Sequence, residues 1–491
     1  MSLILGAQSA VATGYSIDNS VKFDSGASAD MVRVISTDGD TLKLTFNCWI
    51  KRSHIPDDTK NIITNKNVAG TRVFTFGWLG GSHTERLLLY NYDGSGEDNK
   101  RTEQAFKDTS GWYNYHFIWD SANGDSTLRS RLFVNGTEVT VWDENDEPPL
   151  NDECMLVAGT QCPEITLGSR IHNDTYFDGY MAQPILCDGQ AYLPTKFGEF
   201  NEDSPTIWQP IDPADGSLSF GTHGFWLDFK DSADLGADVS GEGNDFTPTG
   251  IVAADQATDT PTNNFATWNN LYMPTANRPV FSEGNCKVLT SASGNWGSAS
   301  TWGMSAGKWY AEFEAVSASN TPSVGITASG TKHAYSNIWV GNLLYDYAYF
   351  NDGSTYNNNS QTSSWGDTYT AGDIIGVALD LTNLKLYFAK NGTWQDSGDP
   401  TSGATGTGAA YTIAAPAQTP DEGVSEGTGE YFFACSDQSS GSDTWAANFG
   451  GCPSFTVSSG NADENGYGNF EYTPPSGYLA LCTKNLGSDG G

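Results

Sequence analysis

Apolar and polar residues alternate in short runs along almost the whole chain, and windows with the three-to-four spacing of an amphipathic helix are hard to find. Alternation sends successive side chains to opposite faces, so each run predicts a strand with one face on a core. The runs are KLTFNCWIKR (43–52), RVFTFGWL (72–79), RLLLYNY (86–92), YHFIWD (115–120), RLFVNG (131–136), ITLGS (165–169) and FDGYMAQPILCDG (177–189). After a gap come KWYAEFEAVS (308–317), SVGIT (323–327), IWVGNLLYDYAYF (338–350) and EYFFACSD (430–437).

Two stretches, 111–139 and 372–394, repeat one design. Each begins with Gly, runs through apolar residues into Asp120 or Asp380, passes a polar turn, alternates again and reaches Asn-Gly-Thr. The pairs Asn135-Gly136 and Asn391-Gly392 supply the positive φ angles that a type I′ turn demands, so each predicts a tight reversal. Two related all-β units follow.

The spacing of strands and turns divides the chain into an arm (1–14), a first sandwich (15–198), a connector (199–285), a second sandwich (286–456) and a tail (457–491). The connector is rich in Pro and Asp and too long to be structureless in a compact chain, so it is expected to pack against one or both sandwiches. The arm, MSLILGAQSAVATG, is short and lacks a basic leader, which predicts neither a signal peptide nor a membrane span; it reads as a frayed end or as a docking peptide.

Composition narrows the function. With 491 residues, 55 of them Gly and 12% aromatic, the chain suits short strands joined by turns. Asp and Glu number 59 against 24 Lys and Arg, a formal charge of -35. Such a surface repels phosphate backbones and anionic membranes, which argues against nucleic-acid partners and membrane insertion. The same excess suits salty surroundings and could recruit divalent cations. Eight cysteines are scattered without a C-x-x-C pair, which gives no zinc site; Cys154 and Cys162 are close enough in sequence for a disulfide, and buried thiols explain the set equally well. The Asn-x-Thr sequons at Asn135 and Asn391 read as hairpin turns rather than glycan acceptors.

The first unit, through FTFGWL, YHFIWD…LRSRLFVNGTEV and FDGYMAQPILCDGQAYLP, resembles laminin-G and pentraxin-like members of the concanavalin A-like lectin/glucanase superfamily. The second, through SAGKWYAEFEA, SVGIT, YDYAYFNDG and GDIIGVALDLTNLKLYFAKNGTW, resembles SPRY domains. The implied fold is all-β: two concanavalin A-like jelly-roll sandwiches joined by a packed irregular connector. The order of segments over nearly the whole chain, from LGAQSA…GYSIDNSVKF to YTPPSGYLALCTKNL, looks like virion fibre proteins of tailed bacteriophages. That resemblance implies a non-enzymatic tail or head fibre, assembled in the host bacterial cytoplasm and carried on the virion. Its implied partners are other virion structural proteins and host cell-surface polysaccharide, and its implied state is a homo-oligomer, preferably a trimer. A capsid-decorating protein and a laminarinase-like glycan depolymerase are the alternatives.

Laminarinase-type enzymes line a cleft with alternating carboxylates on one strand. The nearest approach is AEFEAV, where Glu312 and Glu314 share a face and Val316 stands where a third acid belongs. SPRY domains place a similar aromatic strand here without catalytic duty. The contiguous acids Asp143 to Glu147 read as a solvated loop, and the six histidines (54, 83, 116, 172, 223 and 333) accompany no nucleophile motif. Laminin-G-like sandwiches often hold calcium through loop oxygens, which nominates Asp228, Asp231, Asp234, Asp238 and Asp245, beside Asn244, against the alternative of Asx-turns. Glycan binding needs an aromatic face with nearby amides, which nominates Tyr356, Asn357, Asn358, Asn359 and Trp365 in the 349–372 loop.

Overall fold

The computed structural model describes residues 14–55, 58–170, 175–271, 278–290, 297–328, 338–416, 429–438 and 441–489. The docking arm therefore lies outside the described residues, apart from Gly14. The chain divides into two compact units, 1–262 and 263–491.

The first unit is a sandwich of two antiparallel sheets. One runs in the order Thr137–Glu138, Ser130–Val134, Tyr113–Asp120, Lys43–Arg52, Gly179–Asp188, Ser20–Phe23, Gln256–Ala257, with Phe225–Trp226 also on Gly179–Asp188. The other runs Trp142–Asn145, Glu97–Ala105, Arg86–Tyr92, Val73–Trp78, Lys60–Lys66, Glu164–Leu167, Asp30–Val34, Thr247–Thr249. Along Lys43–Arg52, Leu44, Phe46, Cys48 and Ile50 enter the core between the sheets. The alternate residues Thr45, Asn47, Trp49 and Lys51 face the other way and are buried too. Period-two alternation alone predicts a wet outer face; here later chain covers it.

The second unit repeats the path. Its larger sheet runs Val280–Ser282, Lys287–Leu289, Thr444–Asn448, Lys308–Ala315, Ile374–Asp380, Lys385–Lys390, Thr393–Trp394. Its smaller sheet runs Ser298–Ala299, Phe432–Asp437, Pro322–Thr327, Asp346–Phe350, Thr355–Asn357, Ser360–Thr362. Apart from strands added at the edges (Trp142–Asn145, Thr247–Thr249 and Gln256–Ala257 in the first unit, Val280–Ser282 in the second), the matched strands of these orders follow the same chain order in both units, so the repeated hairpin is the visible part of a repeated sandwich.

The two hairpins agree in detail. Asn135 and Gly136 have φ of 48° and 71°, and Asn391 and Gly392 have 47° and 78°. Each Asn accepts a bond from the first strand, Asn114 N–H to Asn135 Oδ1 and Ile374 N–H to Asn391 Oδ1, both at 2.8 Å. The aspartate that ends the first strand pairs across to the lysine opening the central strand: Lys43 to Asp120 at 3.7 Å and Lys308 to Asp380 at 3.2 Å. An aromatic ring then covers each turn, Trp208 over Gly136 and Tyr472 over Gly392.

The connector's strands Phe225–Trp226, Thr247–Thr249 and Gln256–Ala257 join the first unit, whereas Phe265 and Trp268 bridge to Cys482 and Ser300 of the second. Two sequence expectations are corrected. Only Asp346–Phe350 of the 338–350 run is a strand; Trp339 and Val340 instead pack on the outside of the smaller sheet against Phe350. The acidic run Asp143 to Glu147 is not simply a loop, because Trp142–Asn145 is an edge strand whose acids meet bases across the sheet. Asp143 lies 2.9 Å from Arg86 and 2.6 Å from Arg101, and Glu147 lies 2.8 Å from Lys100.

The outer faces are closed by buried polar anchors. In the first unit Lys51 and Asp259 pair at 2.7 Å, each 1% exposed, and Trp112 Nε1 donates to the same carboxylate at 2.9 Å. In the second unit Phe470, Tyr478 and Ala480 of the tail cover Tyr310, Ala378 and Tyr387. All eight cysteines are buried and free, which answers the question left by Cys154 and Cys162.

Candidate functional site

The residues nominated for glycan contact are not assembled into one face. Thr355–Asn357 and Ser360–Thr362 form a hairpin whose turn is Asn358-Asn359, with φ of 51° and 58°. Those two asparagines serve the turn. Asn357 Nδ2 is spent on the carbonyls of Leu344 and Asp346 at 2.9 and 2.8 Å. Tyr356 packs against Trp339 and Phe350 on the outside of the sheet, with ring centroids 5.0 and 4.6 Å apart. Trp365 packs against Tyr349 and Phe388 on the core side, at 5.5 and 6.0 Å. Tyr349 and Phe350 are consecutive on a strand and point to opposite faces. The two aromatics proposed for a sugar therefore sit on opposite sides of the sheet.

The aspartates do not fit a calcium ion. Asp228 caps Lys230 N–H and Asp231 caps Ala233 N–H, each within its own turn, while Asp234 starts a further turn through its carbonyl. Asp238 accepts from Trp226 N–H, Ser240 N–H, Ser240 Oγ–H and Asn244 N–H, and its own N–H donates to Asp245 at 2.8 Å. The charges of Asp238, Asp188 and Asp245 act on the guanidinium of Arg33, which also donates to Asn244 Oδ1 and to His223 O. Backbone donors thus engage oxygens of Asp228, Asp231, Asp238 and Asp245, and Arg33 that of Asn244, in competition with any hard cation. Among the described residues no group of three or more His, Cys, Asp or Glu is placed to hold a metal.

Glu312 is buried, with no exposed surface. Its Oε1 accepts from Tyr310 Oη–H at 3.0 Å and Tyr472 N–H at 2.7 Å; its Oε2 accepts from Glu471 N–H at 2.9 Å and Asn448 Nδ2–H at 3.3 Å. Burial raises its pKa from 4.5 to about 7, against the pull of those donors. A raised carboxyl is often a mark of a general acid, but this one lies under the tail and serves to hold it down. Glu314 is half-buried further along the strand, near Lys287. His116 is equally remote from catalysis: burial lowers its pKa to about 3, and Nε2 lies 3.0 Å from the carbonyl of Tyr192.

An open groove of about 560 Å³ lies at the edge of the first unit, where the two sheets face each other. Its lining mixes the apolar Phe106, Tyr113, Val134, Val139 and Val141 with the polar Thr102, Glu103, Gln104, Asn135, Thr137, Glu138 and Thr140. The volume lies within the range of ligand-binding clefts. Tyr113 Oη–H donates to Asp108 Oδ2 at 3.0 Å, which fixes the ring. Val141 is 59% exposed. Asn135 uses its Oδ1 in the turn, as above, which leaves its amide N–H₂ for other partners. Nothing local marks this site in the sequence, because residues 102–113 and 134–141 meet only through strand pairing; the departure from alternation is small, an exposed Val141 beside the edge strand.

Residues 24–186 match the laminin-G-type family described as the concanavalin A-like lectin/glucanases superfamily, and residues 308–419 match the SPRY domain family. The chain thus carries a concanavalin A-like domain followed by a SPRY domain. Among curated proteins, a dual specificity protein kinase, splA, from Dictyostelium discoideum is 32% identical over 57 residues, 12% of this chain and 2% of that protein's length. Among solved structures, the SPRY domain of human HERC1 is similar at 15% identity and TM-score 0.28, over 38% of this chain and 99% of that one. A heptameric SAP-like pentraxin from Limulus polyphemus is similar at 14% identity and TM-score 0.25, over 36% of this chain and 80% of that one. Stonustoxin is similar at 15% identity and TM-score 0.25, over 37% and 27%.

Proposed function

We propose that this chain is a non-enzymatic virion protein of a tailed bacteriophage, a tail or head fibre or appendage, that attaches to host-surface glycans. The observation that carries the attachment reading is the groove of the first unit, an open concavity lined by aromatic and aliphatic side chains together with amides and hydroxyls. The virion assignment is supported by the order of motifs along the chain. Residues 1–14 would dock on the particle, and a homotrimer would turn weak groove contacts into avidity. The depolymerase alternative draws no support from Glu312, whose oxygens are engaged beneath the tail.

The test is binding of the purified full-length protein to intact cells of candidate hosts, with free polysaccharide as competitor. Saturable, competable binding that is unchanged by a calcium chelator is expected. Absence of binding to a productively infected host would overturn attachment and leave particle decoration. Release of new reducing ends from host polysaccharide, lost in Glu312→Gln, would overturn the non-enzymatic assignment.

A further inference from the structure

The groove's lining restricts what it can hold. Among the described residues its charged members are Glu103 and Glu138, with no lysine, arginine or histidine in the lining. Glu138 is gripped by Arg131, Nε to Oε1 at 2.7 Å and the terminal nitrogen to Oε2 at 2.6 Å, so that guanidinium is already paired at the rim. Around the groove stands a chain of net charge -35. An anionic ligand would meet the Glu103 carboxylate and find Arg131 already engaged by Glu138.

Shape and chemistry point in one direction. A pyranose ring has an apolar C–H face and a rim of hydroxyls, and the groove lining combines Tyr113 and three valines with Gln104, Asn135, Thr137 and Thr140. An added peptide strand would need unpaired backbone at the rim. There Thr137–Glu138 and Trp142–Asn145 are the outermost strands of their sheets and pair on one side only, with Ser130–Val134 and Glu97–Ala105, so an extended peptide is the competing occupant that the test must exclude.

We infer that the sandwich-edge groove is the glycan site of this protein and that it selects neutral oligosaccharides, with Tyr113 as the stacking platform. This deepens the attachment reading and rests on it. The ligand would be an uncharged hexose chain; glycans rich in uronate, sialate, sulfate or phosphate would be refused.

The experiment is calorimetric titration of the full-length protein with neutral glucan, mannan and galactan oligomers and with alginate and sulfated oligomers, in parallel with host-cell binding. Wild type is expected to bind at least one neutral series and none of the anionic ones. Val141→Glu, at an exposed position that tolerates a new charge, is expected to lower neutral-glycan affinity about tenfold; Tyr113→Ala should do the same and Tyr113→Phe should not. Binding of anionic oligomers, of none of the neutral ones, or affinity unmoved by Val141→Glu would overturn the assignment. Host-cell binding that survives Val141→Glu would sink the groove while leaving attachment intact, whereas wild type that binds no host would sink attachment itself. An extended peptide competing at the groove in place of glycans would also overturn the ligand class.

Discussion

One buried carboxyl, that of Glu312, anchors residues 471 and 472 of the tail of the second unit, and replacing it by an amide separates two opposing effects. In Glu312→Gln one oxygen remains to accept from Tyr310 and Tyr472, while the new N–H₂ meets the donors Glu471 N–H and Asn448 Nδ2–H. Losing buried acceptor capacity in this way costs about 1–3 kcal/mol. Against this stands the charge. Burial raises the folded pKa from 4.5 to about 7, so the folded state holds the proton more tightly than the unfolded one. Its stabilising contribution is complete below pH 4.5 and is lost as pH rises through 7; the loss amounts to about 3 kcal/mol by pH 8. Glutamine carries no such dependence, and the other carboxylates cancel in the difference between the two proteins. Glu312→Gln should therefore destabilise the second unit by about 1–3 kcal/mol at pH 4.5 and be near neutral or stabilising at pH 8. Urea unfolding at both pH values measures the difference, and hydrogen exchange at residues 471 and 472 reports the tail directly. A penalty independent of pH, or one that grows with pH, would refute the argument, because it would mean that the donors keep Glu312 ionised despite its burial.

Three further outcomes are expected. Gly136→Ala places a Cβ against the Trp208 ring at a φ of 71°, and Gly392→Ala places one 2.6 Å from Tyr472 at 78°; each should cost about 1–3 kcal/mol, and melting points within a degree or so of wild type would contradict the covered-turn geometry. Lys51→Met leaves Asp259 buried without its cation, a loss of about 3–5 kcal/mol that Lys51→Met with Asp259→Asn should partly restore; no recovery in the double variant would show that the pair is not a unit. Because burial raises the thiols of Cys48, Cys154 and Cys435, and all eight cysteines are buried and free, a thiol reagent should label none in the native protein and eight after denaturation without reductant. Fewer than eight would reveal a disulfide.

Much of the fold was legible locally. Alternation in KLTFNCWIKR and in GDIIGVALD specifies which side chains face a core, since the period of a strand is set by its own backbone. Asn135-Gly136 and Asn391-Gly392 specify their turns, since few residue pairs accept two positive φ angles. The surroundings of the nominated acids and aromatics depend on distant partners. Asp238 looked like a cation ligand, and became a turn organiser beside Arg33, a residue some two hundred positions away. Tyr356 and Trp365 looked like one sugar platform until the pleat put them on opposite sides of a sheet.

The chain's own pattern determined the strands, the reversals and the pairing of two like units, because these follow from side-chain periodicity and backbone sterics within a dozen residues. Only the tertiary structure decided which faces stay wet. Connector and tail cover the outer faces of the larger sheets, Glu312 is sealed under Glu471 and Tyr472, and strands thirty residues apart enclose the groove between Tyr113 and Val141. Burial and concavity are properties of surfaces brought together from afar, and no local pattern encodes them.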